Sequence, residues 1–178
     1  MVALDIRSRN ATTELLDAMI RTSDHEADVL VLQLYREHIH HLFNYGMNAC
    51  DDQALVKNCI VELFLLVGSR PELMQEVWSF DTNVFKMFRR LLIQQIAASR
   101  GRSSSGIHEN FFWAETQVTK GLTGLQREAL FLKFHRRLTY REVANVMDVT
   151  IEELRSQISK AVEVLLHRNE AKTSICGR

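Results

Sequence analysis

Residues 122–165 read LTGLQREALFLKFHRRLTYREVANVMDVTIEELRSQISKAVEVL, and three threonines punctuate them. Thr123, Thr139 and Thr150 each stand three residues before a Gln or Glu, namely Gln126, Glu142 and Glu153. At that spacing the hydroxyl accepts from the third residue's backbone N–H, and that residue's side chain reaches back to the first, so each pair marks a helix start. The spacing predicts helices over 124–135, 139–147 and 150–168. Only Met147-Asp148-Val149 separates the last two. A helix of about nine residues, a tight turn and a longer helix is the layout of a helix-turn-helix. Ala144 is small where the two helices must approach, Val149 is apolar inside the turn, and Leu154 and Ile158 face back into the core. Asp148 stands where such a turn usually carries glycine, because the residue there takes φ > 0. Aspartate accepts that conformation at a disadvantage of ~1 kcal/mol.

Upstream lies a stretch of different character. Ser99-Arg100-Gly101-Arg102-Ser103-Ser104-Ser105-Gly106 is rich in Gly and Ser, which predicts a flexible linker running to about Asn110. Phe111-Phe112-Trp113 is expected to open a helix to about Lys120. Before the linker, helical periodicity returns. Thr12 to about Arg21 reads as a short helix. Ser23 and Asp24 can cap a long one carrying Leu30, Leu34, His38, His41, Leu42 and Tyr45 at spacings of three and four. Asp51-Asp52 caps the next, with Leu55, Cys59, Glu62, Leu63 and Leu66, until Gly68 and Pro71 break it. Thr82-Asn83 opens a helix whose apolar stripe is Phe85, Phe88, Leu92 and Ile96. Lys86, Arg90 and Gln94 share the opposite face. The expectation is an all-α chain of two small helical domains, 10–99 and 111–170, joined by a linker over 100–110, the second a helix-turn-helix.

Composition sets the outer bounds. The 178 residues include 46% hydrophobic ones, enough for a core and too many for a disordered chain. A single proline and seven glycines argue against a sandwich or barrel, which needs many turns. Three cysteines (Cys50, Cys59 and Cys176) form no disulfide framework, which points to a reducing, cytoplasmic setting. The opening MVALDIRSRN has neither secretory nor transit character, and no apolar run approaches the roughly 20 residues of a membrane span. Net charge is zero but uneven: residues 1–119 carry 11 basic and 15 acidic groups, residues 120–178 carry 11 and 7. Phe85 to Arg102 holds five basic residues and no acid. Such a run is either a footprint for phosphates or a solvated helix face. No P-loop, Gly-rich fingerprint or Ser-His-Asp order appears. His38 and His41 have metal-ligand spacing but no third ligand nearby, so no metal site is expected.

Residues 122–165 closely resemble the C-terminal DNA-binding region of RNA polymerase sigma factors of the ECF (extracytoplasmic function) type. The matching positions are Leu122, Arg127, Leu138-Thr139-Tyr140, Glu142-Val143-Ala144, Thr150, Ala161 and Leu165. Thr123 replaces the usual proline and Asp148 the usual turn glycine. Residues 34–67, LYREHIHHLFNYGMNACDDQALVKNCIVELFLLV, are similar to the family's first two long helices. Glu62 and Phe64 match there, Asn58 and Val61 depart, and Gly68 lies near the place of a common tryptophan. Phe85-Lys86-Met87-Phe88-Arg89-Arg90 resembles the basic helix that lies over the opened promoter strand.

The resemblance implies a transcription initiation factor with no enzymatic activity and no cofactor, whose partners are core RNA polymerase and promoter DNA. An anti-sigma factor is a further partner that this class allows. The minus-thirty-five element then falls to Glu152, Arg155, Ser156 and Gln157 on the recognition helix, with Thr150, Lys160 and Arg141 near phosphates. Arginine suits guanine O6 and N7, and glutamine suits adenine N6 and N7. For the minus-ten element the candidates are Lys86, Arg89 and Arg90, with Arg89, nearer the edge of the apolar stripe, either there or structural, and with Trp78 and Phe80 either stacking on a base or belonging to the core. Core-polymerase contact carries over to Asn58, Glu62 and Leu63. The alternative is a helix-turn-helix regulator that is not a sigma factor, or a helical protein-interaction module.

Overall fold

The structure, a computed structural model, describes residues 25–70, 72–73, 81–99, 113, 115–116 and 118–175. The helices are α1 His25–Ala49, α2 Gln53–Gly68, α3 Asp81–Ser99, α4 Gly124–Leu130, α5 Tyr140–Met147 and α6 Ile151–Ile175. A π-helical turn, Phe131–His135, continues α4. Among the described residues there is no strand. The expected helix at 12–21, the linker at 100–110, and Trp78 and Phe80 lie outside the described residues.

α1, α2 and α3 pack on one another. The periodicity names most of their core. Leu34, His38, Leu42 and Tyr45 of α1 are buried, as are Phe85, Phe88, Leu92 and Ile96 of α3. Each large apolar side chain withdrawn from water contributes roughly 1.5–3 kcal/mol. Asp52 caps α2 by accepting from the Leu55 N–H at 3.0 Å. Gly46 is a contact residue: a Cβ there would lie 2.6 Å from Val56 Cγ1, so α1 and α2 approach as they do only because that atom is absent.

All three capping boxes form. Thr123 and Gln126 exchange hydrogen bonds at 2.9 and 3.2 Å, Thr139 and Glu142 at 2.6 and 3.3 Å, and Thr150 and Glu153 at 2.8 and 3.1 Å. The segment 124–135 starts as expected but ends as a π turn. The Arg136 N–H donates to the Phe131 carbonyl five residues back, and Arg137 then takes φ 58°. The helix expected from Phe111 to Lys120 does not form at its described positions, and 118–121 is a turn. Thr116 and Thr119 each accept from the other's backbone N–H, an alternative to helical pairing that threonine side chains offer.

One buried core runs through both halves of the chain, from Val31 on α1 to Ile158 on α6. Tyr45 sits at its centre. Its ring meets Phe85 and Phe88 of α3, Trp113 and Phe131 edge-on, with centroids 5.1 to 6.2 Å apart. Aromatic pairs at these separations and angles are favourable beyond their buried area.

Candidate nucleic-acid interface

α5 and α6 are held at the turn by Asp148. It takes φ 55° and ψ 44°, the left-handed conformation expected of that position, and its N–H caps α5 by donating to the Ala144 carbonyl. Val149 is half-buried against the core, and Val143, Ala144, Val146, Met147, Leu154, Ile158 and Ala161 close the space between the helices. The opposite side of α6 is therefore open. Glu152, Arg155, Ser156 and Lys160 are exposed, Gln157 is half-buried, and Arg141 is exposed on α5. The Arg155 guanidinium lies 5.7 Å from the centre of the Tyr140 ring, and Lys133 Nζ lies 4.9 Å from it. The Tyr140 ring thus has two cations beside it, a contact favoured by the negative face of the ring. The Thr150 hydroxyl is engaged within its own box, donating to Glu153 Oε2 at 2.9 Å. Those backbone and side-chain hydrogen bonds from Thr150 hold the Glu153 carboxyl below its ordinary value.

The three cations of α3 have different surroundings. Arg89 is buried, its side chain 1% exposed, and its Nε and guanidinium donate to Glu128 of α4 at 2.7 and 3.3 Å. Tyr45 donates its hydroxyl to the same carboxylate. Burial alone would ease the proton off Arg89, but the Glu128 charge and hydrogen bond outweigh it and hold the guanidinium charged. Burial, then the Glu128 charge, pushes the Tyr45 phenol well above its usual range. Arg89 therefore reaches no phosphate in this arrangement: of its two readings the structural one fits, since it stands at the edge of the apolar stripe and is drawn inward by Glu128. Lys86 and Arg90 remain at the surface and converge on Asp148. Lys86 Nζ lies 2.7 Å from Oδ1, and Arg90 places Nε and a terminal nitrogen 3.2 and 2.9 Å from Oδ2.

On α2, Asn58 and Glu62 are exposed one turn apart, and Glu62 accepts from Gln95 of α3 at 3.1 Å. Leu63 is fully buried, so its assignment to a polymerase contact is corrected: the residue beside Glu62 points into the core. Cys59 is also buried, and burial, followed by the charges of Glu62 and Cys50, pushes its thiol up to about 12. His41 accepts through Nδ1 from Arg136 at 2.6 Å, since a guanidinium can only donate. Among the described residues no three His, Cys, Asp or Glu side chains are grouped to hold a metal ion. Nor is any helix there long and apolar enough to cross a membrane.

The joining of Tyr45 to Glu128 carried no signal in the sequence. Glu128 and Tyr45 sit in ordinary helical positions, 83 residues apart, and only the packing of the two halves joins them. Asp148 did carry a signal, as the wrong residue for its turn, but its carboxylate partners are 58 and more residues upstream. Arg127, one of the motif positions, donates to the Leu122 carbonyl at 2.6 Å and so fixes the loop entering α4. Compared with known proteins, the chain matches no family model, no curated protein and no solved structure.

Proposed function

We propose that the chain is a transcription initiation factor of the sigma type, binding core RNA polymerase and directing it to promoters from the cytoplasm. The observation that carries the reading is the pairing of α5 and α6 around a left-handed turn, with Leu154, Ile158 and Ala161 buried and Arg155, Ser156 and Lys160 outward. In this reading α5 and α6 are a helix-turn-helix and α6 enters the major groove of the minus-thirty-five element. Arg155 takes a guanine edge, Gln157 an adenine edge, and Glu152 and Ser156 adjoin the bases. Arg141 and Lys160 hold phosphates, and Thr150 lies at the helix start where anions gather. Lys86 and Arg90 serve the separated strand of the minus-ten element, and Asn58 and Glu62 face the polymerase. No bond of the protein or DNA is made or broken by these groups.

The test is run-off transcription with purified core polymerase on a promoter library, with two variants alongside. Arg155→Ala is expected to weaken binding to the selected element by about 1–3 kcal/mol and relax one base position. Arg141→Ala is expected to weaken all sequences alike and flatten the salt dependence. Equal, sequence-blind losses would mean that α6 does not read bases. One observation favours the other reading, a regulator or interaction module without polymerase. The two halves share a core and Lys86 and Arg90 are already engaged by Asp148. That reading predicts no binding to core polymerase.

A further inference from the structure

Lys86 and Arg90 stand one helical turn apart on α3, and a single carboxylate lies between them. Each oxygen of Asp148 takes one cation, Oδ1 the ammonium at 2.7 Å and Oδ2 the guanidinium at 2.9 and 3.2 Å. The lysine is further tied by donating to Asn145 Oδ1 at 3.1 Å, and Asn145 Nδ2 lies 3.4 Å from Asn83 Oδ1. Two cations spaced to share one oxyanion are a seat for a phosphate as well as for a carboxylate, because both present two or more acceptor oxygens to fixed donors. The carboxylate there comes from the turn between α5 and α6, at a residue with φ 55° where glycine would sit without strain. The side chains remain 22, 33 and 58% exposed for Lys86, Asp148 and Arg90, so an anion from solution can reach the seat.

We propose that Lys86 and Arg90 form a phosphodiester-binding seat for single-stranded nucleic acid, and that Asp148 occupies it as an internal competitor. The choice of a nucleic-acid phosphate rests on the function proposed above. A backbone phosphate entering the seat meets the Asp148 carboxylate, and two anions cannot share the same pair of cations without repulsion. The strand therefore binds as the Asp148 carboxylate swings out of the seat, the core beneath the turn staying closed. By reciprocity, any ligand that prefers the state in which this carboxylate is displaced raises the affinity of α3 for the strand. The exposed face of α6 is not covered by this contact, so duplex reading does not need the seat to be empty.

The experiment is equilibrium binding of the full chain to a fluorescent mixed-sequence single strand across a salt series, without polymerase. Asp148→Asn keeps a side chain that tolerates φ > 0 and removes the competing charge. It is expected to tighten binding about two- to fivefold, the scale set by exposed ion pairs. Asp148→Gly, which also relieves the turn, is expected to do the same. Adding Lys86→Gln and Arg90→Gln to either is expected to abolish the gain and to lower the salt slope by about 0.7 for each cation. Unchanged affinity and slope in both Asp148 variants overturn the proposal. So does a gain that survives loss of Lys86 and Arg90, which would place the site elsewhere. If transcription fails with core polymerase while the gain and its loss appear as described, the seat stands and the promoter reading falls.

Discussion

Two ionic junctions tie α3 to the second half of the chain, and their cations are sequence neighbours. Arg89 meets Glu128 with side chains 1% and 0% exposed, whereas Arg90 and Lys86 meet Asp148 at the surface. Charges and distances are alike, but the solvent is not. Water can replace either partner of the outer junction, so its net worth is about 0–1 kcal/mol. No water replaces the inner one, and removing one partner strands a buried charge. The Tyr45 hydroxyl shares the inner carboxylate and brings α1 into the same joint. One turn of one helix thus holds a fixed joint and a releasable one, which is what a chain needs if its halves dock in one register yet exchange a surface contact for a ligand.

The largest effect expected is at the fixed joint. Glu128→Ala should destabilise the fold by about 3–5 kcal/mol in denaturant unfolding, because the buried Arg89 charge loses the carboxylate that balances it. Replacing both partners, Arg89→Met with Glu128→Met, should recover much of that loss, since the penalty lies in the orphaned charge more than in the missing attraction. A single variant that loses less than 1 kcal/mol would make the two junctions equivalent and end the comparison. Tyr45→Phe comes next, at about 1–2 kcal/mol, since it keeps the ring contacts and removes one hydrogen bond to a charged acceptor. In a double-mutant cycle its effect should shrink on the Glu128→Ala background, as for groups in one network.

Asp148→Asn belongs to the outer junction and should change stability by no more than about 0.5 kcal/mol. The Asp148 carboxyl titrates low: burial opposes its charge, but the hydrogen bonds and charges of Lys86 and Arg90 prevail. The contribution of the junction is therefore present above the unfolded carboxyl value of about 3.9 and fades as pH falls through the lower folded value. The outer junction should stay closed across the neutral range, with the wild-type and Asp148→Asn unfolding midpoints converging only below about pH 4.

Much of this molecule was legible in its sequence, and the limits follow from the range of the signals. Capping boxes and apolar periodicity are local, and the boxes at Thr123, Thr139 and Thr150 and the buried face of α3 appear where the residues place them. The left-handed turn at Asp148 was readable for the same reason, since φ > 0 is a property of one residue and its neighbours. The fate of the α3 cations was not. Whether Arg89 faces water or Glu128 is set by how two distant segments pack, and a charge run carries no record of what lies opposite it. Leu63 illustrates a different limit: the resemblance set it toward a partner, while its helical spacing from Cys59 already set it on the apolar face, and the local signal was the better guide. The π turn at 131–135 also escaped, because its apolar pattern is that of an ordinary helix.

The smallest effect expected concerns a third contact between the halves, one helical turn before Tyr45 on α1. His41 is neutral at Nδ1 because Arg136 donates there at 2.6 Å, and partial burial, then Arg136, then His38, His40 and His135 all push its protonation below the ordinary range. The unfolded chain, with a histidine value of about 6.5, takes up this proton first. Stability from the neutral ring is thus complete above about pH 6.5 and is lost as pH falls from there through the lower folded value, the reverse of a histidine held by a carboxylate. Protonation removes the acceptor and sets a second positive charge against Arg136, so the contact between α1 and the π turn loosens while the Arg89–Glu128 joint holds. His41→Gln keeps an oxygen that can accept from Arg136 and cannot gain a proton near neutrality. Between pH 7.5 and 5.5 the thermal midpoint of the wild type should fall further than that of His41→Gln. Parallel decreases would assign the acid sensitivity to other histidines and leave His41 as a spectator at this interface.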